Sequence, residues 1–136
     1  MRCLLDSNAV IHVWQGWTGF GRALEDALVD PSNTVYMSSV SAAELAIKIS
    51  SGKLEPPPRP MPEVIELLNW VELPFTVKHA ERMYQLPDVH KDPFDRMIIA
   101  QALTEGLPVV TTDRIFAAYG IQVIQGRADL QVASGR

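Results

Sequence analysis

The sequence predicts an α/β fold: a single three-layer domain in which a mostly parallel central sheet is flanked by helices. The first observation behind this prediction is that short apolar runs typical of buried strands alternate along the chain with segments of helical periodicity. The second is that two of these strands end directly in a carboxylate, Asp6 or Asp113. The third is length, because 136 residues are enough for one domain with a sizeable core and contain no internal repeat.

Composition narrows the class of protein. With 47% hydrophobic and 21% charged residues, the chain is typical of a soluble globular protein. No apolar run approaches the ~18–20 residues of a membrane span, and the start reaches Asp6 too early for a signal peptide, so we expect a cytoplasmic protein without membrane association. The single cysteine, Cys3, allows no internal disulfide. A net charge of −4 argues against nucleic-acid binding driven mainly by counterion release, but allows a nuclease whose acids are offset by divalent cations.

The first half of the chain begins with a buried strand, a polar turn and a helix start. Asp6 stands at the carboxyl end of that strand, although Asp6, Ser7 or Asn8 could also simply cap the following helix. The remaining predicted elements of this half are a helix over 22–29, a strand over 35–37, and a helix over 42–49.

Glu44 lies in the third of these elements, and its role has two interpretations. The spacing from Ser41 to Glu44 fits a capping box, and Lys48 could pair with Glu44 on the helix surface. The helical wheel nevertheless places Glu44 at the margin of the apolar face, where its carboxylate could reach a cleft.

The middle of the chain is proline-rich. Residues 55–62 contain five prolines and are interpreted as a semi-rigid extended loop within one domain. After it we expect a helix over 63–69, a strand over 71–73, and a helix near 77–86 capped by Thr76. His79 and His90 have no ligand partner at helical spacing, so they are interpreted as surface polar residues.

The strongest local prediction is a helix over 93–105. Asp92 fits its N-cap, Pro93 fits its first turn, and Gly106 follows its last periodic residue. Asp95 projects between Ile98 and Ile99, so this carboxylate faces a side that should be buried and therefore needs a partner. The alternative is that Asp95 serves only the helix start, where the dipole favours an anion.

The chain then predicts a strand over 108–111, followed at once by Asp113, a short helix to Tyr119, and a final strand over 121–124. Residues 1–125 are assigned to the domain, and residues 126–136, which are rich in small and polar side chains, to a flexible C-terminal tail.

Four acids can face one edge of this sheet. Asp6 and Asp113 end strands, Glu44 and Asp95 lie near helix starts, and ligands of open α/β sheets bind outside the carboxyl ends of the strands. Four carboxylates there would repel one another, and Mg²⁺ or Mn²⁺ is the economical counter-charge. Metal-activated water would then hydrolyse a phosphodiester, and the sequence offers no nucleophile motif or phosphate-binding glycine loop as an alternative.

The same residues carry a family resemblance. Leu4-Leu5-Asp6-Ser7-Asn8, the segment 40–48 with Gly52-Lys53-Leu54, His90-Lys91-Asp92-Pro93-Phe94-Asp95-Arg96, and Val110-Thr111-Thr112-Asp113 together resemble the PIN-domain ribonucleases of the VapC toxin type. The resemblance implies a metal-dependent endoribonuclease, the toxin of a type II toxin–antitoxin pair, which acts on RNA, forms a homodimer and is inhibited by a cognate antitoxin. By matching position, Asp6, Glu44, Asp95 and Asp113 correspond to the family's acidic quartet. The family more commonly has Asp-Thr-Asn where this chain has Asp6-Ser7-Asn8, and Ser7 keeps the hydroxyl group of that threonine.

Other functions fit parts of the pattern. PIN domains also act in RNA processing and decay, and a PIN fold can be kept only for binding. A phosphoacceptor receiver domain also groups acids at a sheet edge, but it would need paired acids after the first strand, and this chain has one. We expect the antitoxin to place a basic residue near Asp6 and Asp95 and to cover Trp14 and Trp17. The two tryptophans could instead pack inside the domain or form the contact between two copies.

Overall fold

The fold is an all-parallel sheet between two layers of helices. The computed structural model describes residues 1–17 and 19–124. Its strands are β1 (Arg2–Leu5), β2 (Thr34–Ser38), β3 (Val71–Leu73), β4 (Val109–Val110) and β5 (Val123–Ile124). Its α-helices are α1 (Ser7–Trp14), α2 (Arg22–Val29), α3 (Ser39–Ser50), α4 (Met61–Leu67), α5 (Val77–Tyr84) and α6 (Pro93–Glu105), and a 3₁₀ helix spans Arg114–Tyr119. None of the helices within these residues is long and apolar enough to cross a bilayer.

The strand order places β1 at the centre of the sheet. The five strands run in the order β3-β2-β1-β4-β5, and every neighbouring pair is parallel. Leu5 pairs with Met37 on one side and with Val110 on the other, so the carboxyl ends of β1, β2 and β4 lie level with one another. The chain reverses its direction of winding beside β1, and such a switch point opens a crevice for ligands.

The two faces of β1 pack against different helices. Cys3 and Leu5 belong to an apolar cluster with α1 and α2, whereas Leu4 belongs to a second cluster built on α6 and the 3₁₀ helix. This alternation follows from the two-residue period of a strand. Both faces of β1 are therefore buried, as a central parallel strand requires.

Helix α6 begins and ends as the sequence predicts. The Asp92 side chain accepts a hydrogen bond from the backbone N–H of Asp95, and Gly106 closes the helix in the left-handed conformation at φ 67°. The apolar face that carries Ile98 and Ile99 is fully buried in the second cluster. Residues at the start of α6 are thereby held at the carboxyl edge of the sheet.

Two local predictions were wrong. Helix α3 begins at Ser39, because the Ser38 hydroxyl accepts the N–H of Val40, so Ser41 and Glu44 form no capping box and Glu44 lies in the second turn. Helix α4 begins at Met61 and takes Pro62 into its first turn, which shortens the extended loop. The short helix predicted up to Tyr119 is confirmed as a 3₁₀ helix over Arg114–Tyr119. The predicted tail, residues 126–136, and the domain boundary at 125 lie outside the described residues.

Candidate active site

Asp6 follows the central strand directly and is almost completely buried. Its side chain is 3% exposed, and Oδ1 accepts the backbone N–H of Ala9 at 2.7 Å, so Asp6 does cap α1. The pKa of Asp6 is raised to about 6, mainly by burial; the charges of Asp95 and Asp113 also act to raise it, while hydrogen bonds from Thr111 and Ala9 act to lower it. Asp6 is thus both the cap of α1 and a buried carboxyl group whose pKa responds to the charges of two other acids.

Asp95 lies in the first turn of α6 and is half-buried. Its Oδ2 lies 2.8 Å from Nε2 of His90. Burial is the largest cause that raises the pKa of Asp95, followed on the same side by the charges of Asp92 and Glu44, while His90 lowers it. The N-cap of α6 is Asp92, so the carboxylate of Asp95 is not required to cap the helix.

The two carboxylate oxygens of Glu44 lie in different surroundings: one faces the ammonium group of Lys48 and the other is buried. Lys48 Nζ lies 3.4 Å from Oε2, the ion pair expected from their spacing, and the Glu44 side chain is 15% exposed. Oε1 is buried and has no hydrogen-bond partner among the described residues. A buried carboxylate oxygen without a partner is costly, so this oxygen is available to a ligand that enters the site.

Asp113 is exposed and caps the 3₁₀ helix. Its Oδ1 accepts the N–H of Ile115 at 3.0 Å, and its own N–H donates to the hydroxyl of Thr111 at 2.9 Å. Thr111 is buried at the end of β4 and also bonds to Asp6. A single hydroxyl thus connects the residues that follow β1 and β4, a contact that the sequence did not predict.

Two buried hydrogen bonds align the elements that carry the acids. The Ser7 hydroxyl donates to the Ser41 hydroxyl at 3.0 Å, which joins the start of α1 to the first turn of α3. The Ser38 hydroxyl donates to Oε1 of Gln101, a fully buried side chain in α6. Paired polar groups of this kind specify one arrangement of the three helices.

The four predicted acids influence one another, but they do not form a finished metal cage. Within residues 1–17 and 19–124, no group of three or more His, Cys, Asp or Glu side chains is arranged to hold a metal ion. Each acid instead bonds to protein: Asp6 and Asp113 to backbone amides, Asp95 to His90, and Glu44 to Lys48. The unpartnered Glu44 oxygen, the raised pKa values of Asp6 and Asp95 and the all-oxygen donor set are compatible with a hard divalent cation.

The two histidines interpreted as surface residues are not free. His79 is 2% exposed; its Nδ1 accepts the Thr76 N–H and its Nε2 lies 2.8 Å from Glu105 Oε2. His90 contacts Asp95 as described. The surface interpretation was wrong for His79, which is buried and bonds to Glu105, 26 residues away, whereas His90 is partly exposed and bonds to Asp95.

Comparison with known proteins gives this architecture a family. The PIN-domain profile matches residues 3–122. The chain belongs to the PIN-domain family. This match excludes the receiver-domain alternative. It also confirms the three-layer α/β fold that the sequence predicts. No curated protein is detectably similar in sequence to this PIN domain.

Solved structures with the same fold include several toxin–antitoxin proteins. The DNA-bound VapBC structure from Salmonella typhimurium is 22% identical with a TM-score of 0.69, and the match covers 91% of this PIN domain and 97% of that chain. VapBC2 from Rickettsia felis, bound to a promoter DNA fragment, is 16% identical with a TM-score of 0.65 and coverage of 91% and 98%. A toxin–antitoxin complex from Klebsiella pneumoniae is 21% identical with a TM-score of 0.59 and coverage of 90% and 96%. At these identities the likeness is one of fold.

Proposed function

We propose that this PIN domain is a metal-dependent endoribonuclease and the toxin of a type II toxin–antitoxin pair. The observation that carries the proposal is the environment of Asp6, a buried carboxyl group whose pKa is raised to about 6 by burial and by neighbouring acids. It lies at the carboxyl end of the central strand, beside the switch point of the sheet. Perturbed acids in such a place are typical of a catalytic site.

The residues proposed to hold Mg²⁺ or Mn²⁺ are Asp6, Glu44, Asp95 and Asp113. When bound, the cation would activate water and stabilise the charge that develops on the RNA phosphate and the leaving oxygen. Contacts within the chain orient two of these side chains. Thr111 and the amide of Ala9 fix Asp6, and Lys48 draws Oε2 of Glu44 outward while Oε1 stays inside.

Cleavage of RNA by the purified protein tests the enzymatic part. We expect cleavage with Mg²⁺ or Mn²⁺, none in excess EDTA, and none for Asp95→Asn, which keeps a polar side chain but removes a charge. The matched control is Asp26→Asn, because Asp26 is an exposed acid on α2 that pairs with Arg22. Undiminished cleavage in EDTA would rule the mechanism out.

The antitoxin is proposed to cover a groove at the carboxyl-terminal end of α1. This groove has a volume of about 220 Å³ and is lined on one side by Val13, Trp14 and Trp17. Both tryptophans also pack against the first apolar cluster, so they are partly inside the domain and partly on the groove wall. An apolar segment of an antitoxin could occupy the groove and carry a basic side chain toward Asp6 and Asp95.

The toxin role and the enzymatic role can be tested separately. Growth arrest on expression, relieved by the protein encoded next to this chain, would support the toxin role, whereas RNA cleavage without growth arrest would favour a role in RNA processing or decay. The toxin would act in the cytoplasm on the RNA of its own cell. The homodimer implied by the resemblance also remains a proposal, and light scattering at several concentrations measures it directly.

A further inference from the structure

The segment between α5 and α6, residues 85–92, brings one imidazole into the acidic site. Nε2 of His90 lies 2.8 Å from Oδ2 of Asp95, and the two side chains are 27% and 26% exposed. With ionised Asp95 as the acceptor, Nε2 is the ring atom that carries the proton. His90 is therefore a hydrogen-bond donor to one of the proposed ligands.

The backbone of His90 is fixed on both sides. Its N–H donates to the hydroxyl of Tyr119 at 2.9 Å, and its carbonyl accepts from Nη1 of Arg96 at 3.2 Å. Together with the bond to Asp95, three atoms of His90 are thus held by side chains from α6 and from the 3₁₀ helix. A histidine on a loosely held surface loop would have no such restraints.

Arg96 explains how an irregular segment is held so firmly. Besides His90, its Nη1 donates to the carbonyl of Pro87 at 3.1 Å, and its Nη2 donates to the carbonyl of Met83 at 3.1 Å. The planar guanidinium has five fixed donors, so one side chain can order several carbonyls at once. Because Arg96 follows Asp95 in α6, the helical turn that presents the carboxylate also fixes its partner.

This arrangement leaves Asp95 with one committed oxygen and one uncommitted oxygen. Oδ2 is bonded to His90, and no other hydrogen bond to this carboxylate is formed within the described part of the chain. The cap of α6 is supplied by Asp92, so the helix makes no demand on Oδ1. Within the site, the charge of Glu44 acts to raise the pKa of Asp95, and the charge of Asp95 acts to raise the pKa of Asp6.

We propose that His90 is a positioning residue for the proposed metal site: its imidazole N–H fixes Oδ2 of Asp95, so that Oδ1 is the oxygen left to ligate the cation. This inference rests on the proposed function. Hydrogen-bond partners of ligating side chains orient the ligand, and their loss typically weakens metal binding by about 10–100-fold. A histidine that served only the packing of the loop would have no such effect.

The decisive experiment compares two variants of equal shape. His90→Gln keeps an N–H donor near the place of Nε2, whereas His90→Met has the same length and no donor. Mn²⁺ affinity is measured by titration calorimetry on the full chain, and RNA cleavage is measured in parallel. Val89→Ala is the control, because Val89 is the exposed apolar neighbour of His90. Urea unfolding in EDTA reports whether the variants fold alike.

We expect His90→Met to bind Mn²⁺ about 10–100-fold more weakly than the unsubstituted protein, with a lower kcat and an unchanged KM for RNA. His90→Gln should recover most of that loss, and Val89→Ala should match the unsubstituted protein. If both variants are less stable, the difference between them still isolates the donor.

Equal Mn²⁺ affinity of the Gln and Met variants, whether normal or weak, would overturn the positioning role. Failure of the proposed function gives a different result, because the unsubstituted protein itself would then neither bind Mn²⁺ nor cleave RNA.

Discussion

At the scale of single residues, Asp6 couples stability to pH. Its pKa is raised from 3.8 to about 6 in the folded protein, so folding favours the protonated form. The associated stability is present at pH 4 and is lost as the pH rises through 6. A difference of about two pKa units corresponds to at most about 3 kcal/mol.

Asp6→Asn should therefore stabilise the metal-free protein at pH 7, because asparagine keeps the cap oxygen and carries no charge. The gain should shrink as the pH falls and vanish near pH 4. Urea unfolding in EDTA at pH 4, 5, 6 and 7 measures the effect, with the exposed acid Asp26→Asn as the control. A gain that did not depend on pH would mean that the Asp6 charge is not the cause.

The sequence predicts where Asp6 and Asp113 stand in the fold better than it predicts the long-range hydrogen bonds of the two histidines. Asp6 and Asp113 stand where strands end, and strand ends are visible as the close of an apolar run. His90 bonds to Tyr119, which is 29 residues away, and His79 bonds to Glu105, which is 26 residues away. Such pairs depend on how α5, α6 and the 3₁₀ helix pack, and no local pattern encodes that packing.

At the scale of elements, α6 separates the structural acid from the proposed catalytic one. Asp92 accepts the N–H of Asp95 at 3.0 Å, while the Asp95 carboxylate bonds to His90. Removing a side-chain cap costs about 1 kcal/mol. Asp92→Ala should therefore lower the free energy of unfolding by about 1 kcal/mol and retain RNA cleavage, the reverse of the result expected for Asp95→Asn.

The control for this prediction is Asp92→Asn, which keeps a cap oxygen without the charge and should be nearly neutral in urea unfolding. If the Ala and Asn variants were equally destabilised, the charge of Asp92 at the helix N-terminus would matter more than its hydrogen bond.

Helix α3 shows why element boundaries are harder to predict than elements. Three of the four residues 38–41 are serines, and each can cap a helix. The cap forms at Ser38, whose hydroxyl also reaches Gln101 in α6. A tertiary contact thus selects among locally equivalent caps, and as a result Glu44 moves from the helix start into the second turn, beside the site.

At the scale of the whole molecule, alternating strands and helices were enough to predict a layered α/β domain with a parallel sheet. They did not give the strand order, because the choice between placing β4 beside β1 or at the far edge depends on which helices fill each face. The strand order determines where the candidate site forms. With β1 between β2 and β4, the residues after all three strands meet at one edge.

The mutual repulsion of the acids should make the folded protein more stable when a cation is bound. At a Mn²⁺ concentration 100 times the dissociation constant, linkage adds about 2.7 kcal/mol, or roughly 8 °C in Tm for a chain of this size. Differential scanning calorimetry with Mn²⁺ and with EDTA measures the shift. The shift should be smaller for Asp95→Asn and unchanged for Asp26→Asn, and an equal shift in both variants would place the cation elsewhere.

Inhibition by the proposed antitoxin is the prediction that involves both the acidic site and the groove beside Trp14 and Trp17. An arginine can bind two carboxylate oxygens at once, so it could replace the cation between Asp6 and Asp95 while an apolar segment covers Trp14 and Trp17. We expect removal of that antitoxin segment to restore RNA cleavage. Trp17→Ala in the PIN domain should weaken binding of the proposed antitoxin without loss of cleavage, with Tyr84→Ala, an exposed aromatic on α5, as the control. Tight inhibition by an antitoxin whose segment has every Arg and Lys changed to Ala would argue against blocking of the acidic site and for obstruction of the RNA path.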